Sequence, residues 1–170
     1  MSEWRVRPER DADRGAVHEV EAAAFGREYE ADLVERLRAD AGWLPGLSYV
    51  AEAPDGRIVG HVLLTRGYVG AVPVVALGPL AVAPDVQRRG VGGALVEAVL
   101  ADAAGRGETA AMLLGDPAYY GRFGFARASS YGVTAPDPSW PEEAFQVRGL
   151  GPEPTVVPGS ARFADPFAPE

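Results

Sequence analysis

The residues best placed to do chemistry are Gln87-Arg88-Arg89-Gly90-Val91-Gly92-Gly93, a cationic, glycine-rich stretch. Three glycines among four residues let backbone amides come close to a ligand. A periodic apolar segment follows at once, so the stretch is the entry to a helix. A helix start offers free N–H groups and the positive end of the dipole, and both favour an anion. Arg88 and Arg89 add fixed charge with a geometry suited to phosphate. The chemistry implied is capture of a pyrophosphate. A P-loop would need G-x-x-x-x-G-K-S/T, and the chain has no lysine. A Rossmann fingerprint is met at Gly90 and Gly92, but Leu95 stands where its third glycine belongs. A tight strand-to-helix turn that binds nothing is the plain alternative.

The elements that must carry this loop follow from pattern. Val74–Val82 is apolar throughout, as suits a strand buried on both faces. Gly78-Pro79 interrupts it; proline donates no ladder hydrogen bond, so a bulge or splay is expected there. After the loop, Val91, Leu95, Val96, Val99, Leu100 and Ala103 form the apolar face of a helix ending near Ala104, which should lie on a sheet. Upstream, Glu3–Arg7 reads as a strand and Pro8 ends it. Asp11 and Asp13 are plausible caps for a helix running to about Phe25 on Ala16, Val17, Val20 and Ala24. Ala31–Ala41 is a second helix and Trp43–Leu47 a loop. Ser48–Ala53 and Arg57–Arg66 form a hairpin around Pro54-Asp55-Gly56. Gly67–Pro73 is a second reversal. Downstream come a short strand at Ala110–Leu114, a short helix at Ala118–Phe123, and weaker strands at Ser130–Thr134 and Phe145–Leu150. The Pro/Gly-rich tail 151–170 has room for an edge strand near Ala161–Phe163.

The totals bound the answer. A chain of 170 residues is read as one domain, 1–170, with its core in 3–150. Without cysteine there is no disulfide, no thiolate nucleophile and no Cys-based metal site. Two histidines, His18 and His61, are too few for a His-rich metal cluster, so no metal is expected. A net charge of −8 argues against nucleic-acid binding, which needs a basic face. No apolar run reaches transmembrane length. MSEWRVRPER lacks the apolar core of a signal peptide, which makes the cytoplasm the expected location.

The loop also matches a third design. Gln87-Arg88-Arg89-Gly90-Val91-Gly92 resembles the Q/R-x-x-G-x-G/A loop of the GNAT superfamily of N-acetyltransferases, after a V-x-P approach at Val82-Ala83-Pro84. Tyr120-Gly121-Arg122-Phe123-Gly124-Phe125 resembles the Y-x-x-x-G-F stretch of the same superfamily. The order β-α-α-β-β-β-α-β-α-β is similar too. The resemblance implies an α/β fold with a mixed sheet, splayed at its centre and flanked by helices, and acetyl-CoA as the acyl donor. It covers roughly Glu3–Leu150, with specific motifs only in Leu77–Phe125.

By that resemblance, Gln87, Arg88, Arg89, Gly90, Val91, Gly92 and Gly93 bind cofactor pyrophosphate, and the backbone of Leu80, Ala81 and Val82 pairs with pantetheine and the thioester. Pro79 has no N–H, so the Leu80 amide is the expected oxyanion donor. Tyr120 would face the sulfur as general acid, since a phenol pKa of ~10 exceeds that of a thiol, ~8.5. Gly115-Asp116-Pro117 departs from the Asn common in the family, and Asp116 is a helix cap instead. Leu77–Val82 carries no carboxylate, so the base must come from elsewhere. Glu30 is the expected base, with Glu28 and Asp32 beside it on the second helix; charge at a helix start explains all three equally well. His61 is a structural residue or lines the acceptor pocket, and His18 is expected in solvent. The implied activity is acetyl transfer to a primary amine, on a small molecule or peptide, by direct attack in a ternary complex. A catalytically silent acyl-CoA sensor or structural module is the alternative. No nucleic-acid or membrane partner is expected, and a homodimer stays open beside a monomer.

Overall fold

The computed structural model describes residues 3–152 and 156–168; residues 153–155 of the tail and both chain ends lie outside it. The described residues form four α-helices: α1 (Arg14–Phe25), α2 (Tyr29–Arg38), α3 (Val91–Gly105) and the single turn α4 (Pro117–Tyr120). Nine strands accompany them: β1 (Arg5–Pro8), β2 (Trp43–Glu52), β3 (Ile58–Val69), β4 (Val72–Val82), β5 (Ala110–Leu114), β6 (Ala126–Arg127), β7 (Val133–Thr134), β8 (Phe145–Gly149) and β9 (Gly159–Arg162). The main path runs β1-β2-β3-β4-β5-β8-β6, and β9 joins β3 to β7. This is a mixed, helix-flanked sheet of the kind the resemblance implied.

The sheet is split where the sequence suggested. β3 and β4 pair antiparallel along their length, but the register slips between Val62 opposite Leu80 and Leu64 opposite Leu77. The extra residue falls at Gly78-Pro79, whose peptide bond is cis, so β4 bulges there. On its other side β4 meets β5 in parallel at only two positions, Val75 with Ala111 and Ala76 with Met112. Past Leu77 the two strands part.

Both faces of the sheet are covered. Leu95, Val96, Val99, Leu100 and Ala103 of α3 pack with Val59, Val62 and Leu64 of β3. On the opposite face Val17 of α1 and Leu33, Val34 and Leu37 of α2 pack with Val50 and Leu63. Burial on both sides explains why β3 and β4 read as continuous apolar runs. Gly60 of β3 lies under α3: a Cβ there would stand 2.8 Å from both Leu95 Cδ1 and Val91 Cγ1. The helix is therefore seated directly on backbone, and its N-terminus is held at the split.

Several boundaries differ from the sequence reading. Trp43–Leu47 belongs to β2, not to a loop. Pro45 and Gly46 bulge out of it, and the register jumps from Trp43 opposite Thr65 to Ser48 opposite Leu63. The turn between β3 and β4 is only Gly70-Ala71, because apolar pairing continues to Val69 opposite Val72. Ala128–Tyr131 is a 3-10 turn, so only Val133 and Thr134 of the expected Ser130–Thr134 strand pair with another chain segment. The short strand β6 was not foreseen.

Candidate active site

A groove of about 1130 Å³ opens at the split. Its floor is Leu80 and Val82 of β4, one wall is the start of α3, and the other is α4 with the following turn. Gln87, Arg88, Gly90, Val91, Gly92 and Gly93 all line it. Arg88 and Gly90 have positive φ, 66° and 87°, which turns the chain sharply into α3. No side chain caps the first turn of α3, so its N–H groups face the groove without a competing side-chain acceptor. Gln87 instead ties the loop to β4, donating from Nε2 to the Val82 carbonyl at 3.2 Å. Uncapped amides, a guanidinium and glycines without side chains fit a phosphate-bearing ligand.

Four residues of the expected set are absent from the groove lining, among them Tyr120 and Glu30, the expected acid and base. Arg89 is absent from its lining, and Ala81 is 1% exposed with its side chain turned into the core beside His61. Sequence reasoning missed several residues that do line it: Phe25, Glu97, Asp116, Tyr119, Arg122 and Phe123. Glu97 lies one turn beyond Gly93 on the same helix, which is the signal that would have found it. The others depend on how α4 leans against α3, which no motif records. Asp116 both lines the groove and caps α4, accepting from the Ala118 amide at 2.9 Å.

The two tyrosines have different stations. Tyr119 reaches across the groove, and a Cβ on Gly92 would overlap its hydroxyl. Arg122 stacks on the Tyr119 ring at 4.5 Å. Tyr120 lies behind it, edge-on to Tyr119 at 4.9 Å and against the backbone of Gly115. Burial pushes the Tyr120 hydroxyl well above the ordinary phenol value, with the Tyr119 and Asp116 charges adding to the effect. Tyr120 is thus held in its protonated form.

The acidic corner between α1 and α2 is less uniform than its sequence. Glu30 is 8% exposed and engages Arg27 through both oxygens, one of them 2.9 Å from Nε. Glu28 and Asp32 instead approach His18, at 3.4 and 3.1 Å. His18 is therefore not a free surface residue, and the hydrogen bond to Asp32 above all raises its pKa. The ligand atoms of His18, Glu28 and Asp32 lie within 4.8 Å of one another, a closeness these ion pairs explain.

A second polar chain runs beneath the α1 face of β3. Glu21 and His61 are fully buried and meet at 2.7 Å, Oε2 to Nδ1. His61 Nε2 contacts Ser48 Oγ at 2.8 Å. The Ser48 hydroxyl donates to Glu9, which also pairs with Arg38 at 2.5 Å. Burial, opposed by His61, raises the pKa of Glu21.

Comparison with known proteins agrees with this geometry. Residues 15–125 match the Acetyltransferase (GNAT) family. The chain is 37% identical over 163 residues to the uncharacterized N-acetyltransferase YjhQ of Escherichia coli, covering 91% of this chain and 89% of that protein. It is 34% identical over 149 residues to the uncharacterized N-acetyltransferase YhbS of Escherichia coli, covering 85% and 86%. The crystal structure of YhbS in complex with CoA aligns with a TM-score of 0.90 at 29% identity, over 98% of this chain and 93% of that one. A GNAT family acetyltransferase from Brucella melitensis in complex with acetyl-CoA aligns with a TM-score of 0.79 at 31% identity, over 97% and 98%. No helix among the described residues is long and apolar enough to cross a membrane. A glycine loop at a split sheet, a tyrosine behind it and these relatives lead to one assignment: the chain belongs to the GNAT family of acetyltransferases.

Proposed function

We propose that this enzyme binds acetyl-CoA in the groove at the split and transfers the acetyl group to a primary amine of a small molecule or peptide, acting in the cytoplasm. The observation that carries the reading is the uncapped start of α3, with Arg88 beside it, facing a groove that continues along Leu80 and Val82. Backbone amides of the Gln87–Gly93 loop hold the pyrophosphate, and Arg88 supplies charge. Arg89, off the lining, contributes only longer-range attraction. The Leu80 amide polarises the thioester carbonyl, because Pro79 has none to offer.

Direct attack in a ternary complex follows from the residues present. With no cysteine in the chain, an acyl-cysteine intermediate is excluded. Glu30 draws a proton from the acceptor ammonium through water, and the amine attacks the thioester. Tyr120 gives its proton to the departing thiolate; a phenol held neutral by burial is suited to that step. Homologues that bind CoA and acetyl-CoA support the choice of donor.

The test is an unbiased amine screen read as release of free CoA, run beside calorimetry with acetyl-CoA. Binding with turnover on at least one primary amine is expected. Binding without turnover on any amine would make the chain a silent acyl-CoA sensor. Absence of binding would remove the site.

A further inference from the structure

Arg122 lines the groove and has no task in the reaction described above. Arginines elsewhere in the fold, among them Arg7, Arg57, Arg66 and Arg106, are tied to carboxylates. Arg122 forms no ion pair with a carboxylate among the described residues; its Nε donates to the Tyr119 carbonyl at 3.2 Å. Its guanidinium lies over the Tyr119 ring at 4.5 Å and beside the Phe123 ring at 5.4 Å. The group is therefore fixed by backbone at one edge and by two rings, with its positive charge left uncompensated. In a chain of net charge −8 that is a ready site for an anion.

The groove lining holds four charged residues: Arg88, Arg122, Glu97 and Asp116. Arg88 stands at the entry to α3, where the loop amides take a pyrophosphate. Asp116 caps α4, and Glu97 lies one turn along α3. A second phosphate on the same ligand meets these two carboxylates unless a cation offsets them. Arg122, on the α4 side, is the lining cation that remains. Tyr119 spans the interval between the two positive sites. Its hydroxyl stands at the first turn of α3, where a Cβ on Gly92 would overlap it, and its ring carries Arg122. Burial raises the Tyr119 pKa and the Arg122 charge opposes that, as its closeness requires. One tyrosine ring thus separates the start of α3 from Arg122, a gap that a ribose bridges between its 5′ and 3′ phosphates.

Resting on the reading that this groove binds acetyl-CoA, we propose that Arg122 recognises the 3′-phosphate of the donor's nucleotide. It makes the enzyme select coenzyme A over donors with the same pantetheine and thioester but no such phosphate. A guanidinium presents two parallel N–H groups to two phosphate oxygens, and the charge assists both bonds. Stacking on Tyr119 and the bond to its carbonyl set the plane in advance, so little side-chain freedom is lost on binding. Arg88 and the loop amides hold the pyrophosphate that all nucleotide-bearing donors share; Arg122 reads the group that distinguishes coenzyme A. A 3′-dephospho donor, or phosphopantetheine carried on a protein, gives Arg122 nothing to hold.

Calorimetry with coenzyme A and with 3′-dephospho-coenzyme A, which differ only in that phosphate, tests the assignment without any need for turnover. Wild-type protein should bind coenzyme A about tenfold more tightly. Arg122 is exposed, so this preference should shrink as salt is raised. Arg122→Gln should weaken coenzyme A binding to the level of the dephospho form, and leave the dephospho affinity within about twofold of wild type. Equal affinities for the two ligands in wild type overturn the assignment. An Arg122→Gln protein that keeps the preference overturns it too. So does one that loses affinity for both ligands alike, which would make Arg122 a prop for the Tyr119 ring. Wild-type protein that binds neither ligand would remove the acetyl-CoA reading of the groove and this assignment with it, whereas binding of both without preference removes the assignment alone.

Discussion

Gly60 gives the sharpest test of how the groove is held. Its Cβ would lie 2.8 Å from Leu95 Cδ1, 2.8 Å from Val91 Cγ1 and 3.3 Å from the Ala81 carbonyl oxygen. Carbon pairs rest at about 3.5–4.0 Å, so Gly60→Ala demands close to an ångström of movement. Leu95 and Val91 are 0% and 1% exposed, so the added methyl meets packed side chains. Either α3 lifts or β3 sinks. Overpacking of this kind costs about 1–3 kcal/mol. Against it stands the gain from stiffening the unfolded chain, about 0.4–1 kcal/mol, because Gly60 does not use a positive φ. Taking the middle of each range, the net expectation is a loss of about 1 kcal/mol, or about 2–4 °C in Tm for a chain of this size.

The groove should feel the same change. Val91 is the first residue of α3 and lines the groove, so lifting the helix displaces the Gly90–Gly93 amides. Acetyl-CoA affinity by calorimetry should fall together with Tm. Val91→Ala removes one of the two clashing methyls. Combined with Gly60→Ala it should cost less than the two single losses added, by about 0.5 kcal/mol or more. A Gly60→Ala protein as stable as wild type, with unchanged acetyl-CoA affinity, would refute the idea that α3 is seated on this glycine.

Four further outcomes are expected. Gly92→Ala forces the Tyr119 hydroxyl aside and should weaken acetyl-CoA binding by about tenfold, roughly 1.4 kcal/mol; adding Tyr119→Phe should recover part of the loss in the same calorimetric titration. Tyr120→Phe should keep acetyl-CoA affinity but lower turnover by roughly 10² or more; turnover within about threefold of wild type would mean that the thiolate leaves unaided. Glu30→Gln should lower the rate at neutral pH and approach wild type at high pH as free amine accumulates, and an unaltered pH–rate profile would remove Glu30 from the proton path. The Arg7 guanidinium holds the Asp13 carboxyl below its usual range, with burial opposing. That depressed pKa contributes stability which is complete above about pH 4 and lost as pH falls through the folded value. Arg7→Gln should therefore flatten the acid limb of a stability–pH curve, and an unchanged limb would show the pair to be silent.

How far the site could be read from sequence depended on whether its parts are contiguous. The glycine loop was legible because seven adjacent residues carry both the turn geometry and the charge. The split was legible because Gly78-Pro79 breaks a run of apolar residues, and the ladder slips there. Trp43–Leu47 misled for a physical reason: Pro45 and Gly46 are turn residues, yet pairing on either side of them absorbs the bulge. The α4 wall was not legible: the motif's Tyr120 lies behind the lining, whereas Tyr119 and Arg122 reach the groove through a packing angle that spacing does not encode.

The buried polar chain was hidden because it is assembled from five places. Glu9, Glu21, Arg38, Ser48 and His61 come from a loop, α1, α2, β2 and β3, and each alone has an ordinary surface or structural explanation. The available signal was Glu21 itself. Val17, Val20, Glu21 and Ala24 follow helical spacing, so the carboxylate falls on the stripe that must be buried. A charged residue on a buried stripe requires a partner of opposite or shareable charge. In the returning strand Arg57–Arg66, His61 in the middle of IVGHVLL was the titratable group set among apolar residues and able to be that partner. Pairing the two misfits across forty positions would have located the buried Glu21–His61 contact. The register makes room for the pair: Ala81 keeps β4 small at that position, and β3 brings the imidazole beside it.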